Sequence, residues 1–200
     1  MADRGYPCDS AVSYVCNHHR LPEEQRIVLL RNIVPADTAL VRMAKSLRLE
    51  SVRGRSVFVD GYNALITAES LMAGFPVYLC DDGLVRDTRG YFRRYKSSQF
   101  AIRALCEILD LLAEAAPSRL EVLLDEQISR SGELASIVRA MMGERHLLGD
   151  ARCVRDVDHQ LKICEGIVSS SDGNVIDAAS NIIDLPAEIA RRRKISTQIV

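Results

Sequence analysis

The sequence predicts an α/β protein, with a three-layer, doubly wound and mostly parallel sheet preceded by a small all-helical unit. Two observations lead to this fold class. Residues 1–52 carry only helical patterns, whereas residues 53–200 alternate short strand candidates with helical segments. Such alternation indicates a parallel sheet with helices on both faces, because parallel strands need a long crossover between them.

The N-terminal unit contains three helical segments. "DSAVSYVCNHH" places an apolar stripe after a cap at Asp9 or Ser10, "LPEEQRIVLLRNI" has Pro22 and two acids near its start, and "PADTALVRMAKSLRL" begins with Pro35. Proline and acids at the start and basic residues at the end are typical of helices. The unit is either a helix-turn-helix or a small bundle packed on the next domain, and it lacks a clear recognition helix for DNA.

Five strand candidates follow, each leading into a helical segment. They are "SVFVD", "PVYLCD", "RLEVLLD", "ARCVRDVD" and "GIVSSSD", and the last leads into "NVIDAASNIIDLPAEIARRR", whose pattern predicts helix. We expect these strands in one sheet, with their carboxyl ends along one edge. That edge is where open α/β sheets bind ligands.

Every one of these strand candidates ends on aspartate. The residues are Asp60, Asp81 with Asp82, Asp125, Asp156 with Asp158, and Asp172. A single aspartate at such a position is usually a helix cap or a turn residue. A whole set is better explained by a bound cation, because clustered carboxylates repel one another unless a positive charge neutralises them. Oxygen ligands without His or Cys favour Mg²⁺ or Mn²⁺.

Two motifs carry a family resemblance. "VFVDGYNAL" and "GIVSSSDGNVID" resemble the first and the late strand of NYN nucleases, a branch of the PIN-like superfamily. The resemblance covers roughly residues 56–185. The first fifty residues, with "RGYP" and "HRLPEEQR", also resemble a helical unit that precedes a PIN-like domain in an uncharacterised prokaryotic family.

The resemblance implies a metal-dependent nuclease and a set of site residues. The implied metal ligands are Asp60, Asp125 and Asp172, with Asn63 and Asp177 orienting water or a second ion. The late motif departs from the family in having Asn174 where a second acid would stand.

Two further segments are candidates for binding phosphate or RNA. "DEQISRSGELA" places Ser129, Arg130 and Ser131 before a helix, where free N–H groups favour an anion, although Ser131 as a plain helix cap is the alternative. The second segment, "RDTRGYFRRYK", interleaves basic and aromatic residues; its basic residues are Arg86, Arg89, Arg93, Arg94 and Lys96. Arginine for phosphates and aromatic rings for stacking suit single-stranded RNA better than duplex DNA. The alternative for this segment is an ordinary solvated surface.

Composition narrows the remaining classes of protein. A net charge of −1 gives no general attraction to nucleic acid, and no apolar run is long enough to span a membrane. Six cysteines without a CxxC pair, and an N-terminus without an apolar signal segment, predict a cytoplasmic protein. The chain has no Walker A, GxGxxG or serine-elbow motif.

The sequence therefore predicts a Mg²⁺- or Mn²⁺-dependent ribonuclease. The alternative is a non-catalytic RNA- or nucleotide-binding module of the same fold. A metal-dependent phosphatase is disfavoured because Tyr62 stands where that class needs a second acid. The sequence leaves a homo-oligomer open.

Overall fold

The structure is a computed structural model and describes residues 1–89 and 99–199. The predicted RNA-binding residues Arg93, Arg94 and Lys96 lie outside the described residues.

The N-terminal region is helical, as predicted. It contains α1 (Cys8–His18), α2 (Glu23–Asn32) and α3 (Ala36–Lys45). A proline stands directly before each helix, at Pro7, Pro22 and Pro35. Proline fits there because its ring fixes φ near the helical value and its missing N–H is not needed in the first turn. We call α1, α2 and α3 the N-terminal helices.

Strands and helices alternate through the rest of the chain. The strands are β1 (Ser56–Asp60), β2 (Val77–Leu79), β3 (Val85–Asp87), β4 (Arg119–Asp125), β5 (Gly149–Val154), β6 (Ile167–Ser169), β7 (Asn181–Ile182) and β8 (Gln198–Ile199). The helices are α4 (Gly61–Ala73), α5 (Ala101–Ala115), α6 (Ser131–Glu144), α7 (Val157–Ile163), α8 (Gly173–Ala178) and α9 (Leu185–Arg193).

The main sheet has five parallel strands in the order β5-β4-β1-β6-β7. The chain starts at the central β1, adds β4 and β5 on one side, and then crosses back to add β6 and β7 on the other. Both the parallel sheet and the α/β class agree with the prediction from the sequence.

Helices cover both faces of this sheet. Leu120 and Val122 of β4 pack into the larger apolar cluster, which includes residues of α4, α5, α6 and α9. Leu123, the next residue after Val122, points to the opposite face and packs with residues of α7 and α8. This alternation follows from the two-residue repeat of a strand, and it explains why β4 is apolar at successive positions.

The predicted placement of "PVYLCD" in the main sheet is wrong. β2 pairs instead with β3, antiparallel, and with β8 in a separate three-stranded sheet. Asp82-Gly83 is a turn signal, and Gly83 takes the left-handed φ of 76° that the hairpin needs. Asp81 and Asp82 therefore do not lie at the carboxyl edge of the main sheet.

The predicted helix after Asp172 is also interrupted. α8 ends at Ala178, β7 fills the fifth strand position, and α9 starts anew with Asp184 as its cap and Pro186 in its first turn. Proline cannot stand in a helix interior without losing a hydrogen bond, and the β-branched Ile182 suits a strand.

The N-terminal helices dock beside β7. Just after α3, the amide of Leu47 donates to the carbonyl of Ile182 at 2.8 Å. Val52, which follows, is fully buried in the larger apolar cluster. The docking places α2 and α3 next to the carboxyl edge of β6. Within residues 1–89 and 99–199, the helices are too short or too polar to cross a bilayer.

Candidate functional site at the carboxyl edge of the sheet

The candidate site lies where the strand order reverses, between β1 and β6. In an open α/β sheet, the loops that leave two such strands diverge to opposite faces and open a crevice. Here β1 ends on Asp60, and the loop after β6 carries residues 170–172. The first and the late sequence motif therefore lie on neighbouring strands.

Asp60 is held at this crevice by both of its carboxylate oxygens. Oδ1 accepts a hydrogen bond from the amide of Asn63 at 3.2 Å, which caps α4, and Oδ2 accepts one from Ser170 Oγ at 3.1 Å. Burial raises the pKa of Asp60 to about 7. The two hydrogen bonds lower the pKa, while the nearby charges of Asp158 and Asp172 raise it further.

Side-chain bonds join the ends of β1 and β6. Asn63 Oδ1 accepts from the amide of Ser171 at 2.9 Å, and the amide of Asp172 donates to Ser170 Oγ at 3.2 Å. Asp172 Oδ1 in turn accepts from two amides of α8 as its helix cap. Three polar side chains thus fix the geometry of the crevice before any ligand binds.

Other aspartates lie close enough to interact electrostatically. Burial raises the pKa of Asp158, and the charge of Asp172 raises it next, with a smaller contribution from Asp125. We call Asp60, Asp125, Asp158 and Asp172 the acid cluster. Asp125 is at its margin, because its Oδ1 accepts from the amide of Gln127 and its charge contributes less to the raised pKa of Asp158 than that of Asp172 does. Asp158 takes the more central position.

The acid cluster fits a hydrated Mg²⁺ or Mn²⁺ ion in the type of its donors. In the part of the chain that the structure describes, however, fewer than three His, Cys, Asp or Glu side chains are near enough to share one ion. One oxygen of Asp60 and one of Asp172 accept from helix amides, so an ion would bind the other oxygen of each; that oxygen of Asp60 also accepts from Ser170 Oγ and would share its second lone pair with the ion. Mg²⁺ commonly keeps several water ligands, and these would complete its coordination.

Asp177 does not join the acid cluster, contrary to the predicted role. Arg42 binds it through two hydrogen bonds of 2.7 and 2.9 Å, and its remaining charged neighbours are Lys45 and Asp82. The hydrogen bond from Arg42 lowers the pKa of Asp177. Its carboxylate is occupied by a structural ion pair on the outer side of α8.

A buried ion network lies beside the crevice. Asp82 is 1% exposed and receives two hydrogen bonds of 2.7 Å from Arg86 and one of 3.0 Å from Arg42. Arg86 Nε also donates to the carbonyl of Ser171 at 2.9 Å. Burial by itself would raise the pKa of Asp82, but the two arginines lower it. The network ties α3 and the β2–β3 hairpin to the loop after β6.

Sequence analysis missed this network. The Asp-Gly pair was a signal for a hairpin turn, which brings Arg86 of β3 back against Asp82 in the turn. Nothing in the sequence indicates Arg42, which lies 40 residues from Asp82 along the chain.

The two predicted arginines of the basic segment that the structure describes are anchored. Arg86 is buried in the network above. Arg89 lies over the ring of Phe75 at 4.6 Å from its centroid, and its guanidinium is 3.4 Å from Ser70 Oγ. Both side chains are therefore held against the protein.

The predicted phosphate-binding turn before α6 is only partly open to solvent. Ser131 is buried, and its Oγ lies 2.5 Å from the carbonyl of Asp125 and 2.9 Å from the hydroxyl of Tyr62. It is the first residue of α6, and the cap position belongs to Arg130. Arg130 is exposed and paired with Glu133, and Ser129 is exposed. The hydroxyl of Ser131 thus forms hydrogen bonds inside the protein, at the connection between β4 and α6, and does not face solvent.

A cavity of about 360 Å³ opens between the N-terminal helices and the crevice. We call it the edge cavity. One wall comes from α2 and the link to α3, with Leu30, Ile33, Val34 and Pro35. The opposite wall includes Asn63, Ser171 and Asp172, and both Arg42 and Arg86 contribute to its side. The cavity therefore adjoins the acid cluster directly.

These features define an α/β protein with a carboxylate cluster at the carboxyl edge of a parallel sheet and a helical N-terminal region closing one side of a cavity there. The chain belongs to the family described as "Domain of unknown function (DUF5616)", whose model matches residues 49–188. Residues 1–45 match a second family, described as "Protein of unknown function (DUF434)".

The chain is also similar, over most of its length, to a second protein. It is 31% identical over 190 residues to the uncharacterized protein MJ0935 of Methanocaldococcus jannaschii, an alignment that covers 94% of this chain and 90% of that protein. No solved structure matches the chain significantly. The shared length means that the N-terminal helices and the α/β region occur together in both proteins.

Proposed function

We propose that the protein is a Mg²⁺- or Mn²⁺-dependent ribonuclease with a PIN-like three-layer fold, which hydrolyses RNA phosphodiester bonds at the acid cluster. The observation that supports this proposal is the position of Asp60. It ends the central strand at the switch point, and its carboxylate interacts with those of Asp158 and Asp172. Neighbouring carboxylates that are not neutralised repel one another, and a bound divalent cation would offset that repulsion.

Asp60 and Asp172 would hold the ion, and Asp158 would bind one of its water ligands. A bound Mg²⁺ or Mn²⁺ would lower the pKa of a water molecule and stabilise charge on the phosphate. Asp60 must lose its proton to bind the ion, and with a pKa of about 7 it is only partly ionised at neutral pH. Metal affinity should therefore increase as the pH rises through 7.

Each of the other predicted residues has a narrower role in this proposal. Asn63 positions the loop after β6 through its bond to Ser171. Asp125 contributes negative charge at the margin of the acid cluster. Contacts of Arg93, Arg94 and Lys96 with the RNA backbone stay a prediction, and Asp177 takes no part.

The test is an RNA cleavage assay with matched variants. Labelled single-stranded and hairpin RNAs would be incubated with the purified protein in Mg²⁺, in Mn²⁺ and in chelator, beside Asp60→Asn and Asp81→Asn. We expect metal-dependent cleavage that falls at least about 100-fold in Asp60→Asn, as is usual when an electrostatic group is removed from a reacting centre. Asp81→Asn is the control, because Asp81 is another strand-end aspartate but contacts the amide of Val34 outside the acid cluster.

A non-catalytic RNA- or nucleotide-binding module is the second candidate. It is favoured by the small number of acidic groups within reach of a single ion in the described residues. If neither the wild-type protein nor Asp60→Asn cuts RNA, while both bind it equally well in chelator, this second candidate replaces the nuclease.

A further inference from the structure

The edge cavity has the size and the chemistry of a pocket for one nucleotide. Its volume of about 360 Å³ is near the lower end of the range for small-ligand sites, roughly 300 to 1,000 Å³. The wall formed by Ile33, Val34 and Pro35 is apolar, and it faces a wall that carries Asn63 and Ser171. An apolar surface opposite a few hydrogen-bonding groups is the usual arrangement for holding a planar base.

Ser171 provides a second, independent observation. Its Oγ is buried, and among the described residues it has no hydrogen-bond partner. Buried hydroxyl groups are nearly always paired, because leaving one unpaired is destabilising. Ser171 is among the residues that line the edge cavity, so a ligand that reaches its Oγ from there would supply the missing partner.

The charges around the cavity argue against a site for phosphate alone. Arg31, Arg42 and Arg86 line it, but Asp82 and Asp177 already pair with the guanidinium groups of Arg42 and Arg86. Asp9 and Asp172 also line the cavity, so their two negative charges outweigh the positive charge of Arg31. A free inorganic anion would therefore gain little, whereas an uncharged base would meet no electrostatic penalty.

The cavity also has the right position relative to the acid cluster. Asp172 belongs to both the cavity and the acid cluster. Asn63, another lining residue of the cavity, donates a hydrogen bond from its amide to the carboxylate of Asp60. A base in the cavity would thus place its own backbone phosphate at the carboxyl edge. A base that is paired in a duplex cannot enter such a cavity without leaving its helix.

We propose that the edge cavity binds one unpaired nucleotide of the substrate, with the N-terminal helices forming the wall that holds the base. This inference rests on the proposed function and deepens it, because it makes single-stranded RNA the substrate class and makes the N-terminal helices part of the substrate site.

The test measures nucleotide binding in chelator, without catalysis. The four ribonucleoside 5′-monophosphates and inorganic phosphate would be titrated by calorimetry or ligand-observed NMR. Thr38→Trp fills the cavity from α3, and Val41→Trp is its matched control, since Val41 lies on the same helix but is 56% exposed. We expect wild type and Val41→Trp to bind at least one nucleotide more tightly than phosphate, and Thr38→Trp to lose that binding.

Ser171→Ala gives a readout that does not depend on a large substitution. Removal of an unpaired buried hydroxyl should leave the thermal midpoint of the free protein unchanged or higher. Nucleotide binding should weaken about three- to tenfold, the loss expected for one neutral hydrogen bond. A variant with lower stability and unchanged affinity would contradict the proposed role of Ser171.

The outcomes separate this inference from the nuclease proposal. Equal binding by Thr38→Trp and wild type, or equal binding of phosphate and nucleotides, overturns the nucleotide pocket even if RNA is cleaved. Failure of every nucleotide to bind wild type, with equally fast cleavage of single-stranded and duplex RNA, also overturns it. If the expected binding pattern is found but no RNA is cleaved, the nucleotide pocket is supported and the proposed nuclease activity is excluded.

Discussion

Replacement of Asp82 by Asn tests whether the ion network beside the crevice is structural. Asp82 is 1% exposed, and its two oxygens receive hydrogen bonds from both Arg86 and Arg42. Asn keeps the shape of the side chain but removes its charge, and its amide NH₂ group must face one of the guanidinium groups. Two buried cations would then lack their shared counter-ion.

The expected loss is about 3 kcal/mol of unfolding free energy. Breaking a buried ion pair by removing one partner typically costs about 3–5 kcal/mol. We expect the lower end, because Arg42 keeps its bonds to Asp177 and Arg86 keeps its bond to the carbonyl of Ser171. With a urea m-value of roughly 2 kcal/mol/M, the unfolding midpoint should fall by roughly 1.5 M.

Urea denaturation at neutral pH measures this change, and Asp81→Asn is the control. Asp81 is exposed, and Asn can still accept its hydrogen bond from the amide of Val34, so we expect a change below about 0.5 kcal/mol. A difference below about 1 kcal/mol between the two variants would refute the structural role of Asp82.

The pH dependence of this difference provides a second check. The pKa of Asp82 is lowered in the folded protein, so its stabilisation is present above the ordinary aspartate pKa of about 4. That stabilisation is lost as the pH falls through the folded pKa. The gap between wild type and Asp82→Asn should stay constant near neutral pH and narrow only in acid.

Three further predictions concern the crevice. Because the pKa of Asp60 is raised to about 7, the unfolding free energy of the metal-free protein should fall as the pH rises from about 4 to about 7, and that of Asp60→Asn should not. Chemical denaturation near pH 8 should therefore find Asp60→Asn more stable than wild type, by at most roughly 4 kcal/mol. Saturating Mg²⁺ should raise the melting temperature of wild type near pH 8 by mass action, and a similar rise in Asp60→Asn would place the ion elsewhere. Gly61→Ala should destabilise the protein by about 1–3 kcal/mol, because a Cβ there would lie 2.6 Å from Leu124 Cδ2 and 2.9 Å from the carbonyl oxygen of Leu123. An unchanged midpoint of urea denaturation would mean that β1 and β4 can separate to make room for the methyl group.

The sequence by itself determined the elements whose signal is local. The apolar run "RLEVLLD" forms β4, and the three helical segments of residues 1–52 form α1, α2 and α3, as the sequence predicted, because strand and helix periodicity are set by neighbouring residues. The rule that parallel strands open at one edge also predicted that Asp60 and Asp172 would face one crevice. The "DGYN" and "SSSDG" turns are local as well, since each aspartate caps the helix that follows it.

Only the tertiary structure decided which of the aspartates belong together. Asp81 and Asp82 end a strand candidate as Asp60 does, yet a hairpin places Asp82 in a buried ion network and Asp81 at the α2–α3 link. Arg42 reaches Asp177 across 135 residues of sequence, and the edge cavity forms between the α2–α3 link and the loop after β6, which are also far apart along the chain. The energy of such contacts depends on burial and on partners that come together only in the folded chain, and no local pattern of residues encodes either.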